Sequence, residues 1–112
     1  MQAASSVAPA PMPQHMRALA EANRVRLART ALKRDINSGG LEAAEVVRGC
    51  PWEVTTMTVG ELLRSQRRWG RARTRKFLLG LALNENRELG RLTERQRLVL
   101  AVALETKTQG TT

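Results

Sequence analysis

Hydrophobic residues recur at helical spacing in five segments of the chain, separated by short links that contain glycine or polar residues. In the first segment they lie three, four or seven positions apart, at Ala18, Ala22, Val25, Leu32 and Ile36. This period predicts a helix over about residues 15–37 with a narrow apolar stripe. Ser38-Gly39-Gly40 ends it, because glycine readily takes the left-handed conformation of a helix C-cap.

A shorter second helix is predicted from Leu41 to Val47, where Gly49 and Pro51 stop the pattern. The residue before a proline avoids helical geometry, so Cys50 is expected in an extended link. We interpret its side chain as a small buried or half-buried thiol rather than a nucleophile.

A capping-box spacing marks the start of the third helix. Thr58 and Glu61 are three residues apart, so each side chain is expected to bond the other residue's backbone N–H. The residues assigned to the core in this segment are Met57, Leu62 and Leu63. A turn at residues 67–70 leads into a fourth helix over about residues 71–81.

Thr93 and Gln96 repeat the capping-box spacing and open a last helix that extends to about Leu104. Its apolar residues occupy more than one side: Leu98, Val99, Leu100, Val102 and Leu104. A helix that is apolar on several sides is typical of a central position in the core.

No segment alternates apolar and polar residues over a strand's length, so the chain is expected to be all-α, a small single domain of about five helices. Residues 1–14 are rich in Ala, Ser and Pro and carry no charge, which predicts a disordered extension. We assign residues 15–106 to the helical domain and 107–112 to a frayed C-terminus. Whether translation starts at Met1 or Met16 is left open.

The composition narrows the class of partner. Among 112 residues, 19 Lys and Arg face 10 Asp and Glu, a net charge of +9 that favours anionic partners. Nucleic acid is preferred over a membrane surface, because no segment is a strong basic amphipathic helix and no apolar run could span a bilayer. One Cys and one His cannot form a disulfide or supply a set of zinc ligands, so we expect no metal, no cofactor and no enzymatic activity. A single Cys fits a reducing compartment, and we expect a cytoplasmic protein.

The densest positive charge lies at residues 64–76, which hold seven basic residues and no acidic one. They flank Trp69-Gly70, where one predicted helix ends and the next begins. At Gly70 no Cβ obstructs a phosphate that approaches the helix N-terminus, and neighbouring arginines can bind it through two donors. The residues predicted to bind DNA are Arg67, Arg68, Trp69, Gly70, Arg71, Arg73 and Arg75. Such contacts position a protein on the backbone and do not read base sequence.

Two interpretations of nearby residues remain open at this point. Trp69 is either a core plug or a side chain that wedges or stacks between bases, with the core favoured, and Trp52 is expected to pack. The basic face of the first helix is either a second DNA surface or plain solvated charge; its residues are Arg24, Arg26, Arg29 and Lys33.

The stretch TMTVGELLRSQRRWGRART at residues 56–74 resembles the actinobacterial integration host factor family. Without gaps, the positions in register are Met57, Val59, Leu62, Leu63, Gly70, Arg71 and Arg73. Gly39-Gly40 before this stretch, and Leu92 with Arg95-Gln96-Arg97 after it, extend the resemblance over about residues 17–104. The chain departs from the family pattern in having Gly60 for a serine, Arg67 for a proline, Trp69 for a small apolar residue and Glu88 for an arginine.

The resemblance implies a nucleoid-associated protein with a helix-two-turns-helix element. Such proteins bind double-stranded DNA through its phosphates with little sequence preference, alter its curvature and support phage integration. Gly70, Arg71 and Arg73 carry over as binding residues, with Arg87 in the loop before the last helix as a further candidate. The partners expected are therefore duplex DNA and an integrase–DNA complex. We expect a monomer, because no long heptad seam appears in the sequence. The alternative is an RNA-binding or ribosome-associated basic protein.

Overall fold

The computed structural model describes residues 13–110, with side chains through residue 107. Its helices are α1 (Gln14–Ser38), α2 (Ala43–Gly49), α3 (Val59–Arg64), α4 (Arg71–Gly80) and α5 (Glu94–Gly110), with short 3-10 turns at Trp52–Val54 and Leu89–Arg91. Within these residues the only β pairing is an isolated bridge between Thr58 and Glu88. The all-α prediction is confirmed. Most of the predicted N-terminal extension, residues 1–12, lies outside the described residues, as do residues 111–112.

One apolar cluster joins the helices. Met57, Leu62 and Leu63 are fully buried in it, as predicted, together with Leu89 and Leu100. The α2 and α5 helices make the most extensive contact between elements, so the C-terminal helix packs on α2.

α1 belongs to the core only near its C-terminal end. Leu32 and Ile36 are buried, but Ala18 and Ala22 of the predicted stripe are exposed. The first turns of α1 therefore do not pack on the core, although the apolar stripe of the sequence includes them. The helix ends as expected, at Gly39 with a φ of 89°, whose N–H donates to the carbonyl of Asp35 or Ile36.

Cys50 is not in an extended link. Its φ of 41° and ψ of 62° place it in the left-handed region, where it caps α2. The Cys50 N–H donates to the Val46 carbonyl at 2.8 Å, and its side chain packs partly against the core. Closing the last turn of α2 prevails over the preference that Pro51 imposes on its neighbour.

The two capping boxes differ. Thr93 and Gln96 form both reciprocal bonds, at 2.9 and 3.0 Å, as predicted. Thr58 accepts the Glu61 N–H at 3.1 Å, but the Glu61 carboxylate instead accepts from Lys33 Nζ at 2.9 Å. Only half of the first box forms, because a cation on α1 competes for the carboxylate.

α5 is not buried on all sides, which corrects the central position predicted for it. Leu100, Ala101 and Leu104 are buried, whereas Leu98, Val99 and Val102 are 52%, 43% and 46% exposed. One face of the helix packs on the domain and the other meets solvent. α5 also continues past the predicted end, to Gly110.

Candidate nucleic-acid interface

A tight turn connects α3 to α4 at the centre of the basic run. The Trp69 N–H donates to the Gln66 carbonyl at 3.1 Å, and Arg68 has a left-handed φ of 70°. A non-glycine residue in this region carries backbone strain. The turn therefore holds Arg68 in a backbone conformation that most residues avoid, and the side chains of Arg67 and Arg68 are both exposed.

Gly70 is the N-cap of α4, and no side chain caps this helix end. Its φ of −90° and ψ of −174° are extended values that any residue adopts. Apart from Gly70 itself and the adjoining backbone, no atom lies within 4 Å of where a Cβ would stand at Gly70. The N-terminus of α4 is therefore open to solvent, and its first N–H groups can receive an anion.

Trp69 is half-buried and packs against the apolar core, which matches the favoured interpretation. Its ring meets Phe77 edge-on, with centroids 5.2 Å apart. The Arg73 guanidinium lies 4.3 Å from the centre of the Trp69 ring, as a cation–π contact. Trp69 thus fixes the orientation of Arg73 as well as the turn.

The basic residues of the turn differ in how far they are engaged. Arg67, Arg68 and Arg71 are exposed and form no ion pair within residues 13–110. Arg75 pairs with Glu85 at 3.2 Å. The run lacks acids along the sequence but not in space, because the loop after α4 brings Glu85 back to it.

Glu85 is held beside the turn by its own backbone, whose carbonyl accepts the Gly60 N–H at 2.8 Å. The hydrogen bond from Arg75 lowers the pKa of its carboxyl, and the charges of Arg75, Arg64 and Arg71 lower it further. Glu85 therefore stays ionised and offsets part of the positive charge on this side of the turn. The sequence run alone does not reveal it, since the contact joins residues ten positions apart.

Arg87 lies in the same loop as Glu85, which carries it beside α3 and α4. The Arg87 carbonyl accepts the Val59 N–H at 2.9 Å, and its guanidinium donates to the Arg91 carbonyl at 3.3 Å. Arg91 in turn pairs with Glu88 at 3.2 Å. The guanidinium groups of Arg87 and Arg91 therefore already have hydrogen-bond partners inside the loop.

The basic face of α1 is engaged with the protein itself. Three of its residues bond side chains within the domain: Arg24 to Glu21, Arg26 to Asn23, and Lys33 to Glu61. The fourth, Arg29, donates to the Glu53 carbonyl at 2.9 Å and to the Thr56 hydroxyl. These contacts disfavour α1 as a second free DNA surface.

Trp52 is on the surface, not packed as expected. It is 48% exposed, and the Arg24 guanidinium lies 4.2 Å from its ring centre. The ring is covered by a cation of α1 rather than by core residues.

A groove of about 610 Å³ adjoins the turn, and Glu85 is not part of its lining. Arg67, Arg68, Arg73 and Lys107 line it over a floor that includes Ile36 and Leu104. The sequence pattern places Lys107 in a frayed C-terminus, whereas the structure places it in α5. Its position three residues after the buried Leu104 on α5 is the signal that could have placed it here.

Within residues 13–110, none of the helices combines the length and the apolar character that a bilayer crossing requires. No group of three or more His, Cys, Asp or Glu side chains in this range could hold a metal ion.

No protein-family model and no curated protein matches the sequence. Among solved structures, the chain is similar to that of sIHF bound to an 8-bp palindromic DNA, with a TM-score of 0.68 and 23% identity. The similarity covers 75% of this chain and 97% of that one. It shows that the two share a fold, and the integration-host-factor-like fold expected from the sequence is confirmed.

Proposed function

We propose that this protein is an architectural protein that binds double-stranded DNA through its phosphates. The observation that carries the proposal is the open N-terminus of α4 at Gly70, flanked by exposed arginines without ion pairs, Arg67, Arg68 and Arg71. The shared fold with sIHF, whose structure contains an 8-bp palindromic DNA, supports it.

The chemistry follows from the helix end and its neighbours. The uncapped N–H groups of α4 donate to phosphate oxygens, and the helix dipole adds about 0.3–1 kcal/mol for an exposed anion. Arg71 begins the helix and its guanidinium can bind the same or the next phosphate through two donors. Arg67 and Arg68 extend the contact along the turn.

Arg73 and Arg75 contribute under constraint. Arg73 is oriented by Trp69, so it loses less side-chain freedom on binding DNA than an unrestrained arginine. Arg75 is shared with Glu85 and must loosen that pair to reach a phosphate. Trp69 acts in this account as a support for the turn and not as a wedge between bases.

The finer features of the function are also proposals. The turn presents arginine and backbone N–H groups rather than a mixed set of base-reading side chains, which favours little sequence specificity. A nucleoid location, DNA bending, and support for phage or element integration with an integrase follow from the family resemblance. Binding as a monomer follows from the lack of a long heptad seam in the sequence.

Charge reversal at Arg71 tests the proposal. Arg71→Glu places a carboxylate at the α4 N-terminus and is expected to weaken binding to a short duplex by at least about tenfold at 0.1 M salt. Arg34→Glu makes the same change in net charge at an exposed position of α1 and is the matched control. Equal affinities for the two variants, with unchanged helicity by circular dichroism, would contradict the assignment of this site.

A further inference from the structure

The cations near the turn form two separate sets. Arg64, Arg71 and Arg75 act on Glu85 and do not line the groove. Arg67, Arg68, Arg73 and Lys107 line the groove, and none of them is among the charges that lower the pKa of Glu85. A single phosphate at the α4 N-terminus uses only part of this charge.

The charge of the groove favours an anion. Its lining carries four cations against one carboxylate, that of Glu42 at the N-terminus of α2. The Arg73 guanidinium is held at 4.3 Å over the Trp69 ring, so one donor of the groove is oriented before any ligand arrives. Lys107 comes from α5, far along the chain from the turn, which makes the groove a joint feature of two elements.

We propose that this groove binds a second stretch of phosphate backbone, the opposite strand of the duplex that contacts Gly70. This inference rests on the proposed function and extends it to a second strand and a second set of residues. Arg68 and Arg71 are three residues apart, so their Cα atoms are at most about 11 Å apart. The minor groove of B-DNA is about 6 Å wide, and one turn with cations on both sides can therefore contact both of its backbones.

Lys107→Gln is the informative variant, because Lys107 lies outside the turn and forms no ion pair within the described residues. Binding to a duplex of about 20 bp is measured by fluorescence anisotropy over a salt series. The loss of one phosphate contact should lower the slope of log K against log salt by about 0.9 and weaken the affinity about five- to tenfold at 0.1 M salt. Arg34→Gln removes one charge from an exposed position of α1 outside the groove lining and should leave the slope unchanged.

A single strand of the same length separates the two strands' contributions. If the groove holds the opposite strand, Lys107→Gln changes the slope on the duplex and leaves binding to the single strand unchanged. An equal change on both would overturn the two-strand arrangement. An unchanged duplex slope would also overturn it, and binding of a polyglutamate peptide that Lys107→Gln abolishes would then identify the groove as a site for acidic protein segments.

The proposed function fails in a different way. If the unsubstituted protein does not bind the duplex at all, both proposals fall. If it binds and Arg71→Glu abolishes binding while Lys107→Gln has no effect, only the inference about the groove is lost.

Discussion

Arg68 is a residue at which binding and stability are expected to oppose each other. Its φ of 70° costs about 1–2 kcal/mol for a residue with a Cβ, of which glycine's extra chain entropy offsets about half. Arg68→Gly should therefore raise the free energy of unfolding by about 0.5–1 kcal/mol, while it weakens duplex binding by removing a cation. Urea denaturation and anisotropy measure the two effects.

Ala82→Gly is the matched control for Arg68→Gly. Ala82 is exposed and has a φ of 57°, in the C-terminal cap of α4 and outside the basic turn. It should gain similar stability and keep the original DNA affinity. A stability loss in both variants would show that the left-handed residues are not strained.

Gly90 is expected to resist substitution for a steric reason. A Cβ there would stand 2.7 Å from the Thr55 carbonyl oxygen, which also accepts the Gly90 N–H at 2.9 Å. Gly90→Ala should cost about 1–3 kcal/mol, since backbone must shift to admit the methyl group. Gly80→Ala, at the open end of α4, should be neutral or stabilising by up to about 1 kcal/mol. Urea unfolding measures both variants: the midpoint should fall for Gly90→Ala and stay the same or rise for Gly80→Ala. An equal change in the two midpoints would contradict the steric explanation.

At the scale of elements, Arg29 ties α1 to the 3-10 turn at Trp52–Val54. It donates to the Glu53 carbonyl and to the Thr56 hydroxyl. Arg29→Gln is expected to lower the free energy of unfolding by about 1–3 kcal/mol, because bonds from a charged donor are lost. DNA affinity at a temperature where the variant is folded should stay the same. A large loss of affinity with little loss of stability would restore α1 as a DNA surface.

Glu85 links the loop after α4 to the binding turn and makes stability depend on pH. Its pKa lies below the usual value of 4.5, chiefly through the hydrogen bond from Arg75. A lowered pKa in the folded state means that the contribution is present above pH 4.5 and is lost as the pH falls through the folded pKa. The melting temperature of the unsubstituted protein should therefore exceed that of Glu85→Gln near pH 6 and converge with it in acid.

The same variant should bind DNA more tightly. Without the carboxylate, Arg75 is free for a phosphate, and the slope of log K against log salt should steepen by up to about 0.9. Glu21→Gln is the control: Glu21 also has a lowered pKa, through its hydrogen bond with Arg24 on α1. It should reproduce the pH effect on stability and leave DNA binding unchanged. Weaker binding by Glu85→Gln would contradict the competition between carboxylate and phosphate.

The limits of sequence reasoning are visible in these elements. Helix starts and stops could be predicted, because caps such as Thr93 with Gln96 and turns such as Gly39 act over a few residues. The choice between distant partners could not. Glu61 bonds Lys33 instead of completing its cap, and Glu85 meets Arg75, because the tertiary fold brings those groups together.

The open helix end at Gly70 could be predicted as a candidate site from a local pattern of glycine and arginine. The second set of cations could not, since Lys107 joins it only when α5 packs against the domain. The surface position of Trp52 was likewise hidden, because a cation on α1 and not the core covers its ring.

Across the whole molecule, the cations behind the net charge of +9 differ in whether the protein itself already binds them. On α1, the side chains of Arg24, Arg26, Arg29 and Lys33 bond neighbouring groups. The turn before α4 and the adjoining groove instead keep cations without ion pairs within the described residues. This distribution predicts that DNA binds at one region of the surface and not equally over all of it. Neutralisation of about four to six phosphates corresponds to a salt slope of roughly −4 to −5.

Binding of duplex DNA through its phosphates is tested by fluorescence anisotropy with a labelled duplex of about 20 base pairs over a salt series, with unlabelled structured RNA as competitor. A DNA-binding architectural protein should bind tightly, give a slope of roughly −4 to −5, and be displaced little by RNA at equal concentration. Weak binding, or ready displacement by RNA, would contradict it and point instead to an RNA-binding or ribosome-associated protein with the same fold.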